Sequence, residues 1–143
     1  MTDRDRQRIG IIADSHGDLE ATARALRLLR ERGADFRIHL GDFCDSVRHD
    51  RAAAMIELLR ENGALAVKGN NDFLVENMLA DVRRPPNAEG VRVLAYLREV
   101  PVVRSRGDAR FAHSLPMESL RAFYEPIDRG NTQRAEELFT EAD

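Results

Sequence analysis

The sequence Ile9-Gly-Ile-Ile-Ala-Asp14-Ser-His16-Gly17-Asp18 decides how the rest of the chain is interpreted. Its first five residues are apolar apart from Gly10, which predicts a short strand buried on both faces. Asp14 and His16 are two positions apart, so on an extended backbone their side chains leave the same face. A carboxylate and an imidazole that converge at the end of a buried strand indicate a divalent-metal site. The alternative is a polar strand end before a helix that Asp18 caps.

Two further segments repeat this arrangement at equal spacing. They are Phe36-Arg-Ile-His-Leu-Gly41-Asp42-Phe-Cys-Asp45 and Ala64-Leu-Ala-Val-Lys-Gly69-Asn70-Asn71-Asp72. Asp42 follows Asp14 by 28 residues, and Asn70 follows Asp42 by 28 residues. A strand–helix–strand unit takes about 30 residues. Three successive parallel strands would therefore deliver these side chains to one edge of a sheet, the edge at which open α/β sheets bind ligands.

The remaining elements follow from hydrophobic periodicity and from glycine and proline. Two apolar stripes predict two helices. The first consists of Leu19, Ala23, Leu26 and Leu29, and its helix ends at Gly33. The second consists of Ala52, Met55, Ile56 and Leu59, and its helix ends at Gly63. Further helices are predicted over 73–79 and 91–100, followed by a hairpin that turns at Arg106-Gly107-Asp108 and by helices over 117–124 and 132–142. Residues 1–7 are interpreted as a polar tail and residues 8–143 as one domain.

Composition narrows the class of protein. The chain has 143 residues, 43% of them hydrophobic and 33% charged, which is ordinary for one globular domain. Its net charge of −3 gives no general attraction to nucleic acid or to anionic membranes. The N-terminal residues lack the apolar segment of a signal peptide, and no apolar run approaches the ~20 residues of a membrane span. The single cysteine, Cys44, fits a reducing compartment. The prediction is a cytoplasmic protein.

Taken together, the motifs resemble those of a known family. Asp14-x-His16, Gly41-Asp42-x-x-Asp45, Gly69-Asn70-Asn71-Asp72 and a later His113 occur in the order found in the calcineurin-like metallophosphoesterases. Within that family the chain looks most like the small bacterial and archaeal phosphodiesterase branch. The resemblance extends from Arg8 to the last residue. It implies an α/β/β/α sandwich, truncated before its C-terminal strands, and metal-dependent hydrolysis of phosphate esters, foremost phosphodiesters.

The resemblance also implies a role for each site residue. Asp14 and His16 would hold one divalent ion, Asn70 and His113 a second, and Asp42 would bridge both. Mixed carboxylate, amide and imidazole ligands suit manganese, iron or zinc, with manganese favoured. Asp42 and His113 are also the expected catalytic residues, and Asn70 is expected to contact the phosphate-ester substrate. Asp45 and Asp72 would orient the ligands.

Asn71 is the first departure from the family pattern. Many relatives carry a histidine there that is thought to protonate the leaving group, and an amide cannot act as a general acid. Asn71 is nevertheless assigned to the catalytic and substrate-binding set, and substrates with good leaving groups are expected. Arg48 is a candidate substrate-binding residue, although a solvated loop explains it equally well. His39 is either a group that orients a ligand or an ordinary strand side chain.

The second departure is a missing motif. Relatives end in Gly-His-x-His, which supplies one further histidine to each metal. The four histidines of this chain, at positions 16, 39, 49 and 113, leave none for that role. The alternative function is therefore a non-catalytic module of the same fold that binds metal or another protein. The incomplete sheet predicts a homo-oligomer that covers its exposed edge and apolar surface.

Overall fold

The computed structural model describes residues 7–114 and, beyond them, residues 136, 137 and 140. The polar tail predicted over 1–7 lies almost entirely outside the described residues. The same holds for the helix predicted over 117–124 and for most of the one predicted over 132–142. None of the described helices is long and apolar enough to cross a membrane.

A parallel sheet of three strands forms the centre of the described chain. Strands β1 (Ile9–Ile12), β2 (Phe36–His39) and β3 (Ala64–Ala66) lie side by side in this order, with Ile11, Ile38 and Leu65 in register. Helix α1 (Leu19–Glu31) connects β1 to β2. A short 3₁₀ turn (His49–Arg51) and helix α2 (Ala52–Glu61) connect β2 to β3. The predicted strand–helix–strand repeat is confirmed.

Helix α3 (Asn70–Leu79), helix α4 (Ala88–Glu99) and an antiparallel hairpin of β4 (Val103–Arg106) and β5 (Ala109–Ala112) follow the sheet. The helix predicted over 91–100 is present as α4, which begins three residues earlier than predicted. The hairpin turns at Gly107, whose φ of 57° favours glycine. Helix α3 begins earlier than predicted, so Asn70 and Asn71 lie in its first turn rather than at a strand end.

Two hydrophobic clusters cover opposite faces of the sheet. The larger cluster packs the four helices against the strands and includes Leu26, Met55, Leu59, Val93, Leu97 and Ala66. The smaller one packs Phe111 of β5 against Ile38 and Val67. Because neighbouring strand residues point to opposite faces, the helices lie on one side of the sheet and the hairpin on the other. This arrangement is a mixed α/β fold.

The prediction that β1 is buried on both faces is wrong. Gly10 is buried against α1, where an added Cβ would meet Leu29 Cδ1 at 2.9 Å. Ile9 and Ile11, on the other face, are 38% and 52% exposed. Among the described residues, the hairpin packs against β2 rather than β1, which leaves that face of β1 open.

The predicted stripe of α1 needs one correction. Ala23 is exposed, and Thr22 lies in its place, buried with Leu26. Leu19, Thr22, Leu26 and Leu29 follow the spacing of a helix face, and the threonine hydroxyl is tolerated inside because it donates to Asp18 O at 2.6 Å. The stripe of α2 is as predicted, with Ala52, Met55, Ile56 and Leu59 all buried.

Candidate metal centre

The loops that leave β1 and β2 run side by side at the carboxyl edge of the sheet. Three backbone amides of the first loop donate to carbonyls of the second: Asp14 to Gly41 at 3.1 Å, His16 to Asp42 at 2.9 Å and Gly17 to Phe43 at 3.0 Å. This pairing continues the parallel ladder beyond the strands. It places the first two candidate motifs against each other, as the equal spacing predicts.

Three candidate ligands have an unusual backbone conformation. Asp14, His16 and Asp42 have φ values of 54°, 43° and 55°, and within the described part of the chain no other non-glycine residue has a positive φ. This left-handed region costs a non-glycine residue about 1–3 kcal/mol and persists only where surrounding contacts impose it. Such strain concentrates at functional sites. Its coincidence with these three residues marks the loops as a candidate functional site.

Asp14, His16 and Asp42 form the first cluster of possible metal ligands. One ligand atom from each lies within 4.8 Å of the other two. His16 Nε2 is 3.9 Å from Asp14 Oδ1 and 3.8 Å from Asp42 Oδ2. The side chains of Asp14 and His16 are 59% and 47% exposed, whereas that of Asp42 is 2% exposed. The cluster is therefore open to solvent on one side and anchored in the protein on the other.

A second cluster forms around His113, which follows β5. The His113 Nδ1–H donates to Leu40 O at 2.8 Å, because a carbonyl can only accept. In the neutral ring, Nε2 then carries a lone pair, and it faces Asn70 Oδ1 at 3.1 Å and Asp42 Oδ1 at 3.6 Å. With a neutral ring, Nε2 and the two oxygens would direct three electron pairs toward one point. This set fits a divalent cation with mixed nitrogen and oxygen ligands.

Asp42 lies between the two clusters. Its Oδ2 is directed toward His16 and its Oδ1 toward His113. Among the described residues no lysine or arginine pairs with this buried carboxylate. Its hydrogen-bond donor is Asn71 instead. The Asn71 backbone N–H donates to Oδ1 at 2.8 Å, and the Asn71 side-chain amide donates to Oδ2 at 2.7 Å. A buried carboxylate needs compensating positive charge. Metal ions at the two clusters would supply it.

Asn71 itself is held at both ends. Besides the bonds to Asp42, its Oδ1 accepts a hydrogen bond from Ser46 Oγ at 2.7 Å. This contact joins the loop after β2 to the first turn of α3. Sequence reasoning gave Ser46 no role, because a serine in a polar loop carries no signal of its own.

Asp72 joins the loop after β2 to the residue that precedes α3. Its fully buried carboxylate accepts three backbone N–H bonds at 2.8 Å, from Asp42, Cys44 and Gly69. Burial raises the pKa of Asp72 to about 6, against the lowering effect of those N–H bonds. The structure thus places Asp72 against the backbone of the candidate ligand Asp42, and its role in orienting that ligand stays a prediction.

The other predicted residues lie around this centre. Asp45 caps the next turn, accepting from Val47 N at 2.8 Å, and it pairs with Arg48 Nε at 3.0 Å; the Val47 N–H and then Arg48 lower the pKa of Asp45. The structure shows Arg48 on Asp45 and not on the two clusters. Cys44 is fully buried, and burial raises the pKa of its thiol, so it packs as a small core residue.

Comparisons with known proteins agree with this geometry. Residues 8–133 match the family described as Calcineurin-like phosphoesterase superfamily domain. Among solved structures, one titled as a metallophosphoesterase from Sphaerobacter thermophilus is similar, with 23% sequence identity and a TM-score of 0.50. The match covers 74% of this chain and 46% of that chain, so this chain spans about half the length of that structure. A search of curated proteins found no significant match.

The fold and the clusters at its strand ends define an α/β protein with a candidate metal centre. With the family match over most of its length, the chain belongs to the calcineurin-like phosphoesterase superfamily. The likeness to the solved metallophosphoesterase shows the same fold. The predicted family and fold class are therefore confirmed.

Proposed function

We propose that this protein hydrolyses phosphate esters, foremost phosphodiesters, at a centre of two divalent metal ions. The observation that supports the proposal most directly is the position of Asp42, whose two carboxylate oxygens face different clusters. A bridging carboxylate of this kind is what two ions a few ångströms apart require. The family match supports phosphoester chemistry in general.

In this proposal the strand ends divide the ligands between two ions. Asp14 and His16 would hold the first, Asn70 and His113 the second, and Asp42 both; manganese is favoured over iron and zinc. When bound, two such ions would supply positive charge for the phosphate oxygens and a nucleophilic water. The exposed side of the Asp14–His16 cluster leaves room for the ester. Asn70, Asn71 and Arg48 are the proposed substrate contacts, with Arg48 released from Asp45 to reach the phosphate.

Several predictions from the sequence accompany this function. A cytoplasmic location, the absence of specific nucleic-acid binding and the assembly of a homo-oligomer all stay predictions. So does the alternative of a non-catalytic module, which the same metal-binding residues would also allow.

The proposal is tested by comparing Asp42→Asn with Asn70→Ala. We expect Asp42→Asn to weaken Mn²⁺ binding at both sites by at least about tenfold, because loss of even a supporting group costs about 10–100-fold. Asn70→Ala should weaken one site only. Calorimetric titration with Mn²⁺ measures both, and hydrolysis of bis(4-nitrophenyl) phosphate and 4-nitrophenyl phosphate measures activity.

Equal and partial losses of Mn²⁺ binding in the two variants would contradict the bridging role of Asp42. Tight binding of two ions by the unmodified protein, without turnover of either ester, would favour the non-catalytic alternative. Asn62→Ala is the matched control, because Asn62 donates to Leu58 O at the end of α2, away from the site. Its metal affinity should equal that of the unmodified protein.

A second test concerns Asn71. Because an amide cannot protonate a leaving group, the rate should depend steeply on leaving-group pKa across a series of aryl phosphodiesters. Asn71→His should flatten that dependence by supplying a general acid. Matching slopes in the two proteins, both active and both loaded with metal, would show that position 71 takes no part in proton transfer.

A further inference from the structure

His39 is buried completely, and both of its ring nitrogens are engaged. The Gly41 N–H donates to Nδ1 at 3.2 Å, and Ser15 Oγ lies 2.7 Å from Nε2. The ring of Phe43 packs edge-on against the imidazole, with ring centroids 5.7 Å apart. The sequence left open whether His39 is an ordinary strand side chain, and these contacts give it defined partners.

The partners fix the direction of each hydrogen bond. A backbone N–H can only donate, so Nδ1 of His39 is the acceptor in the bond from Gly41. The single hydrogen of a neutral imidazole is then on Nε2, and it is donated to Ser15 Oγ. No lone pair of His39 remains for a metal ion. His39 is therefore not a ligand in this arrangement.

The two bonded neighbours lie next to all three strained residues. Ser15 is located between Asp14 and His16, and Gly41 directly precedes Asp42. One imidazole thus joins the loop after β1 to the loop after β2 at the positions flanking the positive-φ backbone. Strained conformations persist only where their surroundings over-determine them. The His39–Ser15 bond is a side-chain contact in the position to hold the strained backbone of Asp14 and His16 in place.

We infer that His39 is a positioning residue of the metal centre, which acts through Ser15 to hold the backbone of Asp14 and His16 in its ligand-presenting conformation. The inference rests on the proposed metal centre. It predicts a local effect: loss of the His39–Ser15 bond weakens the Asp14–His16 end and leaves the Asn70–His113 end nearly unchanged. A merely structural role of a buried histidine would weaken both ends alike.

Two substitutions of His39 separate its two bonds. In His39→Asn the side-chain oxygen takes the place of Nδ1 and keeps an acceptor for Gly41, but the shorter chain does not reach Ser15. In His39→Gln the terminal amide reaches the place of Nε2 and keeps a donor for Ser15. Ser15→Ala removes the partner itself. Asn62→Ala serves again as the control, since it deletes one half-buried hydrogen bond remote from both loops.

The first measurement is hydrogen exchange in the metal-free protein. The amides of Asp14, His16 and Gly17 donate to the second loop and report directly on the pairing of the two loops. Ser15→Ala and His39→Asn should accelerate their exchange by about tenfold, because local opening becomes easier. His39→Gln and Asn62→Ala should leave it within about twofold of the unmodified protein. Unchanged exchange in Ser15→Ala and His39→Asn would overturn the inference.

The second measurement is Mn²⁺ affinity, read separately at each end. In an Asn70→Ala background binding reports the Asp14–His16 end, and in a His16→Ala background it reports the other end. Ser15→Ala and His39→Asn should each lower the Mn²⁺ affinity of the Asp14–His16 end by about tenfold. The double variant should lower that affinity no further. His39→Gln should restore most of the affinity. Equal losses at both ends, or additive losses in the double variant, would overturn the inference.

Failure of the proposed function can be distinguished from failure of the inference about His39. If the unmodified protein binds no Mn²⁺, the dinuclear centre is refuted, and the exchange rates then decide by themselves whether His39 holds the loop. If Mn²⁺ binds but no ester is hydrolysed, catalysis is refuted and both measurements still decide the inference.

Discussion

Replacing Gly69 by alanine is expected to destroy the candidate metal centre and to destabilise the fold by about 3 kcal/mol or more. An added Cβ would lie 2.1 Å from Asp42 Oδ1 and 2.3 Å from Asp42 N. No flexible side-chain end can move aside, because Asp42 is anchored by its bonds to Asn71 and its amide is held by Asp72. The backbone of one loop must shift, and the two clusters then separate.

The reason for glycine here is space and not conformational freedom. Gly69 has φ −97° and ψ 177°, an extended conformation that alanine adopts without strain. Gly107→Ala is the opposite case and the matched control: its φ is 57°, yet an added Cβ would meet nothing within 4 Å. It should cost about 1–2 kcal/mol from backbone strain and leave metal binding unchanged.

Urea unfolding and Mn²⁺ titration of the two glycine variants measure these effects. A Gly69→Ala protein with unaltered stability and metal affinity would show that Gly69 and Asp42 are not packed as described. A loss of metal binding in Gly107→Ala would show that the titration reports stability and not the site.

The second large effect expected is a loss of stability in mild acid that originates at His39. Burial lowers the pKa of His39 to about 4, from an ordinary value of 6.5. Below pH 6.5 the His39 ring is therefore protonated in the unfolded chain, whereas in the folded protein it stays neutral until about pH 4. The stability that the neutral ring contributes is complete above pH 6.5 and declines as the pH falls. The decline is about 1.4 kcal/mol per pH unit and reaches about 3 kcal/mol at pH 4.

Urea unfolding of the metal-free protein at several pH values, beside His39→Gln, isolates this contribution. The pKa of Asp72, raised to about 6 by burial, acts in the opposite sense, since a carboxyl that protonates more readily when folded stabilises the fold in acid. Asp72 is present in both proteins, so its contribution cancels in their difference. Between pH 6.5 and 5.0 that difference should change by about 2 kcal/mol. Parallel pH profiles would show that His39 titrates normally in the folded protein.

Much of the architecture is encoded locally and was predictable. The periods of apolar residues identify the helices, because one stripe of each must face the core. The 28-residue spacing of Asp14, Asp42 and Asn70 predicts parallel strands whose carboxyl ends share one edge. One local pattern gave a wrong prediction, because the apolar run of β1 predicted burial on both faces. Burial of a strand depends on which distant segment covers it. Among the described residues the hairpin covers β2 and not β1.

The details of the site required the tertiary structure. The sequence predicted the candidate ligands Asp14, Asp42 and Asn70 at one sheet edge, and the family resemblance added His113. Only the folded chain decides that Leu40, 73 residues before His113, fixes its tautomer, and that the two oxygens of Asp42 face different clusters. The same holds for the bond from His39 to Ser15 and for the close approach of Gly69 to Asp42. Periodicity records which face of an element is buried, whereas these contacts depend on ångström-scale distances between residues far apart in the chain.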